Sequence, residues 1–352
     1  MYIHKRENFR WNTAMQHIDL MDIEGIRIGH AHNLAAATGC TVIISDTGAT
    51  VGVDVRGGAP GTRETDLLDP VNLVQQAHAI LLTGGSAFGL DAAAGVMQYL
   101  EEQQIGFDVQ VARVPIVCGA ALFDLMIGDA HVRPDKQMGY AASLNASRQE
   151  HRQGCVGAGT GATAGKILGM PQAMKSGLGY YALQVEDLQV GAIVAANCLG
   201  DVYDPQTGEK LAAPLNPEHT ELLDTEAIML GNYTDTRNRF SGNTTIGAII
   251  TNATFSKAEA TKLASMAQNG YARTIHPAHT MYDGDTIFAM ATGQVTADLS
   301  TVGFLAAHVM ERAVISAITS ATGLCGIPSW QDLKNSPATV RTGTHWTAIK
   351  SR

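Results

Sequence analysis

From Ile23 onward, short runs of β-branched and aliphatic residues alternate with alanine-rich stretches of helical period. TVIISD (41–46), ATVGVDV (49–55), AILLTGG (79–85) and VQVARVPIV (109–117) are apolar or alternating runs bounded by Gly, Pro and Asp, which predicts strands. Between the last two, SAFGLDAAAGVMQYLEE (86–102) repeats its apolar positions at helical spacing, with Ser86 as the expected N-cap. YYALQVEDLQVGAIVAAN (180–197) carries a polar tip at Glu186-Asp187, the pattern of a hairpin or a bent strand pair. The character then changes. Residues 200–242 are polar and rich in Asp, Asn, Thr and Pro, with one expected helix, 217–230, whose proline suits the first turn. A stretch this long that adds little to a core is usually functional or mobile. It ends at SGNTTIGAIITNA (241–253), where 245–252 returns to a strand pattern. A helix over 256–269, a turn-rich HPAHTMYDGD (276–285), a strand TIFAMAT (286–292) and a closing helix complete the chain. Residues 1–22 read as a loosely attached extension, and the whole pattern is that of a mixed α/β protein.

With 352 residues, 45% of them hydrophobic, the chain can bury a full-sized core. A net charge of −9 and the lack of a long basic run argue against a sequence-independent grip on nucleic acid. Cys40, Cys118, Cys155, Cys198 and Cys325 are scattered with no C-x-x-C pair, so neither a disulfide framework nor a thiolate zinc site is expected, and a reducing cytoplasm fits. The polar start lacks the apolar stretch of a secretory signal. The apolar segment 302–324 is interrupted by His308, Glu311 and Arg312, which suits a core helix with one wet edge rather than a membrane span.

Several familiar motifs fail. GAGTGATAGK (157–166) would need glycine at Thr160 and Ser or Thr at Ile167 to be a phosphate loop. The same run fits G-x-G-x-x-A, but RQEHRQGCV before it is no strand, so a dinucleotide site is not expected. His30/His32 and His276/His279 lack metalloprotease spacing, and Pro277 disfavours a helix joining the second pair. Ser86, in GGSAFG, is not in a G-x-S-x-G elbow. No metal or organic cofactor is expected.

What remains is Gly242-Asn243-Thr244-Thr245, a threonine between a long polar segment and an inner strand. Its hydroxyl could attack the Asn243 carbonyl and shift the acyl group from N to O. Hydrolysis of that ester would free an α-amine on Thr244. Such an amine titrates at about 7.7–8.0, so one residue would supply both nucleophile and base. Threonine's branched Cβ restricts χ1 and helps to hold the hydroxyl on one trajectory. Taken alone, Asn-Thr beside glycine is also an ordinary turn. Asp283-Gly284-Asp285, just before a strand, could set one carboxylate to accept from the Thr244 hydroxyl and the other to orient it, although Tyr-Asp-Gly-Asp is equally a turn. Lys166, read as opening a helix, could lower the pKa of the free amine, and Asn197, ending a strand, could aim its amide at an oxyanion.

The segments 41–70, 79–96, RVPIVCGAALFDL (113–125), GNTTIGAIITNA (242–253) and MYDGDTIFA (281–289) resemble, in order and over nearly the whole chain, the DmpA-like family of L-aminopeptidase/D-Ala-esterase-amidases, β-aminopeptidases, a pantetheine-cleaving member and the nylon-oligomer hydrolase. The resemblance implies an αββα sandwich similar to Ntn-hydrolases but differently connected. It also implies a precursor cut between Asn243 and Thr244 into an α chain (23–243, after the 1–22 extension) and a β chain (244–352) of one domain. Position by position, Thr244 matches the nucleophile, Asp283 and Asp285 the assisting pair, Lys166 the site lysine and Asn197 the oxyanion asparagine. The threonine and the Asp-Gly-Asp are more similar to the nylon-oligomer hydrolase than to the serine aminopeptidases. Phe123 stands where several members have a tyrosine and cannot donate a hydrogen bond, which leaves the second oxyanion donor to a backbone N–H, if any.

The expected function is a self-cleaving amidohydrolase or aminopeptidase for small peptides or amides with a free amino terminus. The alternative substrates are ω-amino-acid amides or oligomers of nylon or pantetheine type. A non-catalytic binding or assembly module is the competing class. Neither nucleic acid nor membrane is an expected partner, and family habit implies a homo-oligomer, a tetramer of αβ units.

Overall fold

The computed structural model describes residues 15–234, 242–335 and the pair 341–342. Its main elements in chain order are β1 (Gln16–Ile18), β2 (Arg27–Asn33), β3 (Thr38–Val55), β4 (Ala77–Thr83), α1 (Ala92–Glu102), β5 (Val117–Ala121) and α2 (Lys136–Leu144), followed by β6 (Leu178–Val185), β7 (Leu188–Ala195), β8 (Ile246–Ala253), α3 (Lys257–Thr274), β9 (Thr286–Val295) and α4 (Leu299–Thr319).

The two sequence runs 41–46 and 49–55 are one long strand, β3, and it organises the fold. Its first half pairs with β2 and β4, its second half with β9, and the register shifts between Ile44 and Ala49. One leaf therefore runs β2–β3–β4–β5 and the other β1–β6–β7–β8–β9–β3.

Side-chain alternation makes the layers. Ile43, Ile80 and Leu82 from the first leaf meet Ile193, Ile246, Ala248, Ile250, Phe288 and Met290 from the second in one buried core. The intervening residues point outward. Cys40, Val42, Ala79 and Leu81 pack under α1 and α2, whereas Val190, Val194, Ile249 and Ile287 pack under α3 and α4. The result is the expected αββα sandwich. The helices α1 and α2 touch closely enough that a Cβ on Gly95 would lie 1.9 Å from the Lys136 carbonyl oxygen.

The hairpin expected over 180–197 is β6–β7, with Glu186 at φ +53 in its tip. The helix expected from 256 is α3, longer than its pattern and closed at its start by a Ser256–Glu259 capping box. The closing helix α4 starts at Leu299, capped by Asp298, and buries Val302, Leu305, Val309 and Met310 in the outer core.

Four expectations need correction. The run 109–117 is not one strand: Phe107–Asp108 and Arg113–Val114 form an exposed hairpin, and the buried strand starts only at Val117. Gln110 at φ +69 turns the chain there, leaving Val111 93% exposed. Ser86 caps nothing, since it sits at φ +57 at the head of a 3-10 turn (Ser86–Asp91) that precedes α1. The helix over 217–230 shrinks to Thr225–Gly231, where the Asp224 side chain takes the amide of Ala227. Finally, the extension is not loose throughout. β1 pairs with β6, Leu20 is fully buried and Met21 nearly so, while residues 1–14 lie outside the described residues.

Candidate active site

Strand register brings the sequence candidates together. β8 and β9 run side by side and parallel, with Ile246 opposite Thr286, so the residues just before each strand, Thr244-Thr245 and Gly284-Asp285, are neighbours. β7 lies antiparallel on the other flank, with Ala195 opposite Ile246, which carries Asn197 to Thr244. The central strands thus end at one cluster holding Thr244, Asn197, Lys166, Asp283 and Asp285.

Thr244 is 3% exposed. Its backbone N–H donates to the Asn197 carbonyl at 2.8 Å, and its hydroxyl donates to the carbonyl oxygen of Asn243. A Cβ on Gly284 would fall 2.7 Å from the Thr244 Oγ1, so glycine between the two aspartates leaves the room that the hydroxyl fills.

Asn197 is fully buried and uses both ends of its amide. Nδ2 donates to the carbonyls of Phe123 (3.1 Å) and Gly242 (3.3 Å), while Oδ1 accepts from the Thr163 N–H (3.1 Å) and from Lys166 Nζ (2.8 Å). Lys166 also donates to the carbonyls of Asn197 and Gly242, each at 3.1 Å. Burial pushes its pKa down to about 7, against the opposing pull of Asp283, Asp124 and Asp285. The expected helix start is absent. Lys166 lies in a loop after the short strand Thr163–Ala164, turned by Gly165 at φ +67.

The two aspartates are less directly engaged than expected. The Thr244 hydroxyl faces the Asn243 carbonyl rather than a carboxylate. Asp285 accepts from the Thr245 N–H at 2.8 Å and from His279, and Asp283 accepts from the Thr280 N–H (3.0 Å) and hydroxyl (2.5 Å). Burial, and then the charge of Asp285, push the Asp283 pKa up to about 6.

Three supporting residues escaped the sequence reading. Thr163 gives no signal in its small-residue run. Thr280 does, as the first position of a Thr-x-x-Asp turn. Asp124 accepts from the Thr38 hydroxyl and the Gly85 N–H, both at 2.7 Å, tying the ends of β3 and β4 to the segment behind Phe123.

A cavity of about 90 Å³ opens beside Thr244, lined by Ala59, Pro60, Ser86, Ala121, Phe123 and Asn243. The Phe123 ring lies against Gly242, so close that a Cβ there would sit 1.9 Å from ring carbon Cδ1. Phe123 therefore brings an acceptor carbonyl and an apolar wall, and no side-chain donor.

Residues 19–329 match the model of peptidase family S58. The chain belongs to that family. It is 41% identical to an uncharacterized aminopeptidase of Mycobacterium leprae, over 88% of this chain and 92% of the relative. It is 32% identical to a 6-aminohexanoate-oligomer endohydrolase of Paenarthrobacter ureafaciens, over 84% of each. Among solved structures, a Burkholderia sp. β-aminopeptidase aligns with a TM-score of 0.64 at 20% identity, over 88% of this chain and 89% of the other. The L-aminopeptidase D-Ala-esterase/amidase of Ochrobactrum anthropi, described as a variant of the Ntn hydrolase fold, aligns with a TM-score of 0.64 at 17% identity over 88% of each. This S58 chain is a hydrolase of the aminopeptidase/amidase type on an Ntn-hydrolase-like sandwich, and the non-catalytic binding module is set aside.

Proposed function

We propose that this S58 chain cuts itself between Asn243 and Thr244, and that the freed Thr244 then hydrolyses amide bonds of small peptides or amides with a free amino terminus. The observation that carries this reading is the buried contact of the Thr244 hydroxyl with the Asn243 carbonyl, inside a ring of Lys166, Asn197, Asp283 and Asp285. In the first stage the hydroxyl oxygen adds to the Asn243 carbonyl carbon, the C–N bond breaks, and its proton passes to the departing nitrogen. Water then hydrolyses the ester, leaving a carboxylate on Asn243 and an α-amine on Thr244.

In turnover the α-amine, held where the Asn197 carbonyl now takes the Thr244 N–H, accepts the hydroxyl proton as the oxygen attacks the substrate carbonyl. Asn197 Nδ2 and Lys166 Nζ, which hold the Gly242 carbonyl in the uncut chain, become free for the substrate's oxyanion once Asn243 leaves. The amine product departs with the proton, and water releases the acyl group. The relatives that act on 6-aminohexanoate oligomers favour a second reading of the substrate, an ω-amino-acid amide or oligomer. Cytoplasmic location and assembly of the processed pairs into a homo-oligomer complete the reading, and fractionation and light scattering test them.

On a denaturing gel the purified wild type should show fragments of about 26 and about 11 kDa, as expected for 243 and 109 residues, and Thr244→Ala a single band. A panel of aminoacyl p-nitroanilides beside a 6-aminohexanoate oligomer separates the two substrate readings. An intact wild type that still hydrolyses the panel would overturn the proposal.

A further inference from the structure

His279 lies in the turn ahead of Asp283 with its side chain only 19% exposed, and the mechanism above gives it no task. It sits at φ +58, a conformation that residues other than glycine adopt only occasionally. In that conformation its backbone N–H (3.0 Å) and ring Nδ1 (2.9 Å) meet the same oxygen, Oδ2 of Asp285. A carboxylate only accepts, so Nδ1 carries the proton. The other oxygen, Oδ1, takes the Thr245 N–H at 2.8 Å, and Asp285 itself is 2% exposed. An unbroken chain of hydrogen bonds thus runs from the imidazole through Asp285 to the peptide unit that follows Thr244.

At its far side the ring makes no second polar contact among the described residues, where Nε2 is buried without a hydrogen-bond partner. The Tyr271 ring packs 6.3 Å away at a tilt of 40°. A polar atom left unpaired in a protein interior carries a cost, so a histidine tolerated here is doing something an apolar side chain would not. Among the described residues, the only polar contact its ring makes is the one to Asp285.

We infer that His279 is a positioning residue for the nucleophile, acting through Asp285. Its Nδ1–H holds the carboxylate in the orientation that pins the Thr245 amide, and this keeps the Thr244 hydroxyl aimed at the Asn243 carbonyl before scission and at the substrate afterwards. The inference rests on Thr244 being the nucleophile. It separates the two aspartates by task. Asp285 is a fixed strut engaged on both oxygens, while Asp283 takes its hydrogen bonds from the Thr280 N–H and hydroxyl instead.

The test compares His279→Gly with His279→Asn. Glycine accepts the left-handed backbone without strain and removes the ring. Asparagine tolerates that backbone and offers a side-chain N–H near the place of Nδ1. The readouts are the rate of fragment appearance in freshly synthesised chain, and kcat and KM of fully processed enzyme. His279→Gly should slow scission and lower kcat about tenfold or more, the scale of one charge-assisted hydrogen bond, with KM within about twofold. His279→Asn should restore most of both rates. A glycine variant with wild-type scission and kcat, or an asparagine variant as slow as glycine, would overturn the positioning role while leaving the nucleophile untouched. Wild type that stays intact in the same experiment would instead strike the Thr244 reading, and the positioning role with it.

Discussion

Two lysines are buried within ten positions of each other, and they teach different lessons. Lys166 and Lys175 are 1% and 0% exposed, and burial lowers the pKa of both. Lys175 Nζ is held by the backbone carbonyls of Gly159 (3.2 Å), Ala162 (2.8 Å) and Ser176. Those groups do not change in any step of amide hydrolysis. Gly159 and Ala162 belong to the turn that delivers Thr163 and Lys166, so Lys175 serves as a fastener behind the site. Lys166 instead shares its protons between Asn197 and the Gly242 carbonyl, which precedes the proposed scissile bond by one residue. Burial and a depressed pKa are common to both. What distinguishes Lys166 is a partner that the proposed scission would remove.

Substitutions can break this contrast. The largest expected effect is on Lys166→Met, which should slow scission by about tenfold or more, the scale of a lost charge-assisted hydrogen bond to the Gly242 carbonyl beside the proposed scissile bond, with the fold intact by circular dichroism. Lys175→Met should do the reverse. It leaves carbonyls of a buried turn unpaired and should cost about 2–4 kcal/mol of stability, read from urea midpoints, with scission per folded molecule within about threefold of wild type. Equal effects of the two substitutions on scission would erase the distinction.

Titration sharpens it further. Burial pushes the Lys166 ammonium from its ordinary value near 10.5 down to about 7. Between those values the unfolded chain binds the extra proton, so this group makes stability rise with pH from about 7 toward 10, by up to about 1.4 kcal/mol per pH unit. In a Thr244→Ala background, which stays uncut, urea denaturation at pH 7, 8 and 9 should show that rise, and Lys166→Met should flatten it. The smallest effect is expected at Asp283, whose pKa is raised from 3.8 to about 6. Here the folded chain holds the proton that the unfolded one has lost, so stability falls as pH climbs through that window, and Asp283→Asn should remove the fall.

The sequence made much of the site legible because its parts sit where patterns change. Thr244 marks the return from a polar segment to the buried β8, and Asp283-Gly284-Asp285 marks the start of β9, so two strand patterns located two halves of the site. Their adjacency came from the family resemblance and is explained by the parallel register. Lys166 was found for its chemistry but placed on a helix, because small residues followed by an apolar pair look helical when the Gly165 turn is invisible. The exposed hairpin over 107–114 misled for the converse reason, since its valines alternate like a half-buried strand although solvent surrounds them. Lys175 gave no signal, and His279 drew notice only as half of a pair without metal-site spacing. A lysine followed by Ser-Gly reads as surface, and a histidine in a turn acquires meaning only when φ +58 brings its ring onto Asp285.

The most direct test is intact-mass spectrometry of freshly purified enzyme with measured amidase activity. The account predicts two polypeptides, the smaller beginning at Thr244 with a free α-amine, and their ratio to uncut chain rising with activity over time. Full activity in material that contains only the continuous 352-residue chain would contradict it.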